Sequence, residues 1–108
     1  MASSKGYLDY VLEQLSGLEE ISSRAMMGEY ILYYQGKIFG GIYDDRLLVK
    51  PTASARQMLP DAPLEQPYEG AKEMLLVEDV DNRELLTALL TAMVGELPPP
   101  KKKKSAKG

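Results

Sequence analysis

RAMMGEYILYYQGKIFGGIYDDRLLVKP, residues 24–51, holds three short apolar runs separated by turn residues. Glu29 to Tyr34 (EYILYY) and Ile38 to Tyr43 (IFGGIY) are rich in β-branched and aromatic side chains, and Gln35-Gly36-Lys37 between them reads as the turn of a hairpin. A second turn at Asp44-Asp45-Arg46 leads into Leu47 to Lys50, which Pro51 closes. Upstream, Glu20 to Met26 alternates, with Ile21, Ser23 and Ala25 on one side and Ser22, Arg24 and Met26 on the other, as a half-buried strand does; Gly28 ends it. The expectation is a four-stranded antiparallel meander. Gly40 and Gly41 interrupt its third strand, where glycine weakens pairing and offers nothing to pack. Their structural reading, which we favour, is a bulge or a close crossing by a helix; their functional reading is a surface that a partner's backbone can approach.

Working outward, Tyr7, Leu8, Val11, Leu12, Leu15 and Leu18 recur at helical spacing within Lys5 to Leu18, with Ser4 as an N-cap and Gly17 near the end. After the meander, Thr52 caps a short helix, Ala53 to Leu59, stopped by Pro60. DAPLEQPYEG, residues 61–70, reads as a loop, and Lys72 to Val77 as a fifth strand. Asp81 and Glu84 stand at capping-box spacing before Leu85, Leu86, Leu89, Leu90, Met93, Val94 and Leu97, which form a C-terminal helix. The fold class is therefore α+β: an antiparallel sheet of four to five strands with N-terminal and C-terminal helices packed on it. One domain is expected over residues 1–97. Pro98-Pro99-Pro100 and KKKKSAKG follow as a disordered tail, residues 98–108, with nothing to bury.

Composition narrows the function. With 108 residues and 44% hydrophobic content the chain suffices for one packed core. No apolar run approaches the roughly 18–20 residues of a membrane span, and no cleavable leader is legible, so a cytoplasmic protein without membrane association is expected. The absence of both Cys and His removes the disulfide framework, the thiolate, the commonest metal ligand and the commonest general base. The net charge of -3 conceals an asymmetry, because Lys101, Lys102, Lys103, Lys104 and Lys107 all lie in the tail. The body carries eight basic residues against all 16 acidic ones, and such a surface repels phosphate backbones.

No constellation of reactive groups emerges. Asp44-Asp45 and Glu78-Asp79-Val80-Asp81 supply hard oxygen ligands, but their spacing departs from a calcium loop; a turn and a charged helix start account for them, and no metal or cofactor is expected. Ser22 and Ser23 have no histidine to activate them, and the glycines precede no helix that would cradle a phosphate. Tyr30, Tyr33, Tyr34, Tyr43 and Phe39 offer a stacking platform for single-stranded nucleic acid, yet at least one alternate set must be core and no basic groove accompanies them.

Arg24-Ala25-Met26-Met27-Gly28, then Gly36-Lys37-Ile38-Phe39, then Leu47 to Lys50, and a Pro67-Tyr68 loop before the fifth strand together resemble the N-terminal domain of the TfoX/Sxy family of bacterial competence regulators. The resemblance covers residues 5–97, with Met27 standing where the family commonly has an aromatic residue and the proline-lysine tail in place of a second domain. It implies a small α+β domain and a role linked to transcriptional control of DNA-uptake genes through protein contacts. The resemblance implies full-length relatives that carry that second, C-terminal domain and act with the cyclic-AMP receptor protein.

The reading that follows is a stand-alone regulatory or adaptor-type binding module, not an enzyme, acting on a protein partner as a monomer or homodimer. Arg24 and Lys50, strand-end cations on an acidic body, are the expected partner-binding residues. A second reading is a nucleic-acid-associated regulator that uses Lys101, Lys102, Lys103, Lys104 and Lys107 as a weak, salt-sensitive handle. An enzyme without His or Cys is the third.

Overall fold

The computed structural model describes residues 5–26 and 28–97. Six strands form one antiparallel sheet: β1 (Ile21–Met26), β2 (Glu29–Tyr34), β3 (Lys37–Ile42), β4 (Leu47–Val49), β5 (Leu64–Glu65) and β6 (Met74–Val77), in the order β1-β2-β3-β4-β6-β5. Three helices accompany it, α1 (Lys5–Gln14), α2 (Ala53–Met58) and α3 (Arg83–Met93), the last continuing into a 3-10 turn, Val94–Glu96. The meander of four strands is present, and the α+β class with it. The sixth strand is β5, inside the segment read from sequence as a loop. It has only two residues, hemmed by Pro63 and Pro67, and becomes a strand because β6 offers it an edge, with Leu64 opposite Leu75 and Glu65 opposite Met74.

Two of the meander's three hairpin turns each rest on two successive residues of left-handed backbone. Gln35 and Gly36 (φ 55° and 79°) join β2 to β3, while Asp44 and Asp45 (φ 54° and 57°) join β3 to β4, with Tyr43 and Arg46 exchanging backbone hydrogen bonds of 2.9 and 3.0 Å. Positive φ at both central residues matches the strand twist and favours Asn or Gly. Gln35→Asn is accordingly expected to raise stability by a few tenths to about 1 kcal/mol, read as a higher urea midpoint.

The core lies between one face of the sheet and the helices. From α1 come Leu8 and Val11, followed by Leu15; from α3 come Leu86, Leu89, Leu90 and Met93, all buried against Leu32, Ile42, Leu47, Val49, Leu75 and Val77 of the sheet. α1 ends four residues earlier than its apolar spacing runs, and the chain turns so that Leu15 and Leu18 still reach the core. Buried Gln14 is satisfied on both sides: its amide nitrogen donates to the Val80 carbonyl at 3.1 Å and its oxygen accepts from Arg83 at 3.4 Å.

The cap of α3 is Asn82, whose side-chain oxygen accepts from the Leu85 amide at 3.0 Å, rather than Asp81. Asp81 instead accepts a hydrogen bond from the Tyr10 hydroxyl and so ties α1 to the start of α3. At the other end, Lys37 donates to the Val94 carbonyl at 3.0 Å, a cation on the negative end of the helix. Glu96 accepts from the Ser54 amide and hydroxyl at 3.0 and 2.6 Å, joining the end of α3 to the start of α2; those bonds, the hydroxyl's first, hold its carboxyl below the usual range.

β1 departs from the half-buried strand its alternation implies. Ile21 is half-buried, but Ser22 to Met26 are exposed on both faces, because β1 is an outer strand of the sheet. The tail at 98–108, with its five lysines, and the Ser4 cap lie outside the described residues.

Candidate functional site

The double glycine of β3 shapes the opposite face of the sheet. Leu32 pairs with Gly40 and Tyr33 with Ile38, so Phe39 is one residue too many and forms a bulge that sends its ring into the core. A Cβ on Gly40 would stand 2.1 Å from the Leu48 carbonyl oxygen and 2.8 Å from the Val49 Cα. The structural reading of these glycines thus holds, with neighbouring strand β4, rather than a helix, as the element that approaches Gly40. Gly41 pairs with Leu48, which is buried yet belongs to the face away from the core cluster. A Cβ on Gly41 would meet the Tyr43 ring at 2.7 Å and its hydroxyl at 2.8 Å, so the missing side chain is the seat on which Tyr43 lies.

Tyr43 is buried there, and Tyr68, brought over from the segment between β5 and β6, leans against it with ring centroids 6.3 Å apart and planes tilted by 56°. Two hollows open on either side of this pair. One, about 470 Å³, is lined by Ile38, Gly40, Lys50, Pro67 and Met74 besides the tyrosines. The other, about 460 Å³, is lined by Met26 and Glu29 with the same two rings. Met26 (43% exposed), Ile38 (36%) and Tyr68 (60%) are among the most exposed large apolar side chains, and all three border these hollows. Burial, then the nearby Tyr68, Glu29 and Tyr33, push the Tyr43 hydroxyl upward, which keeps it a neutral donor.

The two cations expected to bind a partner both reach this face. Arg24 pairs with Ile31, Ile31 with Gly41 and Gly41 with Leu48, so Arg24 stands on the outer face, and Lys50, two residues past Leu48, follows it there. Three strand spacings separate them, about 14–15 Å across the sheet. The structure therefore places both cations on one face, three strands apart. Neither makes a salt bridge among the described residues, and the Glu29 carboxylate accepts from the Asp44 amide at 3.1 Å. Half-burial lowers the Lys50 pKa from its ordinary value.

The other constellations resolve differently. Tyr30 and Tyr34 pack against the core and Phe39 is 1% exposed within it, so the aromatic platform is divided between two faces. Asp44 and Asp45 form a tight turn, and Asp79 sits beside the start of α3, where its backbone carbonyl accepts from the Asn82 amide at 3.1 Å. Among the described residues no three acidic side chains converge on one point, and no helix is long and apolar enough to cross a membrane. Sequence reasoning missed the pairing of Tyr43 with Tyr68. The double glycine followed two residues later by Tyr43 was its one signal.

Comparison with known proteins supplies three findings. A model of the TfoX N-terminal domain family matches residues 13–89, from within α1 to within α3. A protein of Spirochaeta aurantia, described as an uncharacterized 12.7 kDa protein in the trpE 5' region, is 32% identical over 106 residues, spanning 97% of this chain and 92% of its own length. No solved structure matches.

Proposed function

The chain belongs to the TfoX N-terminal domain family, and on that premise we propose that it is a small regulatory or adaptor-type binding module that engages a protein partner through the outer face of its sheet. The observation that carries this reading is the uncovered apolar surface of Met26, Ile38 and Tyr68 around two hollows, flanked by Arg24 and Lys50 without ion pairs among the described residues. Apolar contact area bordered by unneutralised charge is how a protein interface is built, the apolar centre supplying affinity and the charges orientation. A link to transcriptional control of competence-like genes is the biological setting the family points to.

Capture of the native partner tests this. The full chain is expected to retain it after removal of residues 98–108, and Arg24→Ala with Lys50→Ala to weaken it about tenfold or more. Full capture by that double variant would discard the assignment. Loss of capture on tail removal alone, with disappearance at moderate salt, would move the function to the lysine-borne electrostatic reading.

A further inference from the structure

We propose that the hollow beside Lys50 is a binding site for a small organic acid carrying an aromatic or branched aliphatic group, whose carboxylate meets the Lys50 ammonium while Tyr43 and Tyr68 enclose its apolar part. The assignment rests on the reading above in taking the outer face as the working surface, and adds a small-molecule ligand to it.

Size supports it first. About 470 Å³ falls within the range of about 300–1,000 Å³ usual for small-molecule sites. The lining is of the matching kind, with Ile38, Pro51, Pro67 and Met74 as apolar walls and two aromatic rings at one side. The rings are positioned from different elements: Tyr43 by the absent side chain of Gly41, and Tyr68 by the segment that ends in β6. Such a site exists before any ligand arrives.

Charge selects the ligand. Lys50 is half-buried, and no hydrogen bond or ion pair to its ammonium exists among the described residues. A partly desolvated cation without a partner is costly, and an anion delivered into the same hollow offsets that cost. Lys72 and Glu73 line the hollow too and carry opposite charges, so to first order Lys50 sets its sign. The Tyr43 hydroxyl, kept neutral by burial, remains able to donate to a carboxylate oxygen. A neutral apolar molecule would leave Lys50 unpaired, and an amine would add like charge.

Amide NMR titration of the full chain with phenylpropionate, phenylpropanol and phenylpropylamine decides it. Phenylpropionate is expected to give saturable shifts at Gly40, Tyr43, Lys50 and Tyr68, with the alcohol about fivefold or more weaker and the amine weaker still. Lys50→Met, which keeps the apolar stem, is expected to abolish the preference for the acid, while Lys72→Met preserves it. Binding is also expected to raise the Lys50 titration midpoint, followed at its side-chain carbon next to the ammonium.

Equal affinity for acid and alcohol would overturn the proposal, as would shifts confined to the tail lysines or no saturable shift up to about 10 mM. Tighter binding of an acetylated peptide ending in phenylalanine, by about tenfold or more, would also overturn it and assign the hollow to a polypeptide terminus. A chain that captures its protein partner through Arg24 and Lys50 yet ignores phenylpropionate keeps the module reading and loses this one.

Discussion

Gly40→Ala is expected to cost about 3 kcal/mol of stability or more and to lower the urea midpoint accordingly. The added methyl would stand 2.1 Å from the Leu48 carbonyl oxygen, 2.8 Å from the Val49 Cα and 3.0 Å from the Leu48 carbonyl carbon. Every one of these atoms is backbone of β4, so no side chain can rotate away and β3 must separate from β4. That separation is expensive because β4 lies inside the sheet and delivers Leu47 and Val49 to the core. Gly17→Ala is the control: nothing stands within 4 Å of its Cβ, so its urea midpoint should stay close to that of the unaltered chain. A Gly40→Ala loss below about 1 kcal/mol would mean that the close approach of these strands is not as described.

The second large effect is Phe39→Ala, expected at about 3–5 kcal/mol. Phe39 is the chain's only phenylalanine, 1% exposed. It reaches the core as the extra residue of a bulge, which leaves the surrounding backbone little freedom to collapse into the space of the missing ring. Against a total stability of about 5–15 kcal/mol for a domain of this size, such a loss populates the unfolded state visibly. Thermal unfolding should fall by well over 10 °C, at about 4–8 °C per kcal/mol. Phe39→Leu should lose much less, since it keeps most of the buried apolar volume.

Both predictions concern residues 24–51, and that stretch shows how much was legible beforehand. Alternation in EYILYY and the turn residues on either side of IFGGIY are local signals, and the meander follows from them with boundaries within a residue. The helix faces were equally plain, because Val11, Leu15, Leu86 and Leu90 repeat at the helical period. β5 was not, since two residues between prolines carry no period and gain their strand character only from a distant edge. The cap is Asn82 because α3 begins at Arg83, one residue later than the capping-box spacing implies, and Asp81 instead accepts from Tyr10, 71 positions away in the chain. Arg24 and Lys50 stood out as strand-end cations, but their placement three strands apart on one face depends on the sheet register. The hollow beside Lys50 was invisible for the same reason, as its far wall is Pro67 and Tyr68, residues that nothing nearby in sequence ties to β3.

Hydrogen–deuterium exchange of the full chain with and without its captured partner reads which face of the sheet the partner covers. New protection is expected in residues 24–26, 38–43 and 67–74, with α1 and α3 unchanged. Protection confined to the helices, or to the lysine tail, would contradict that expectation.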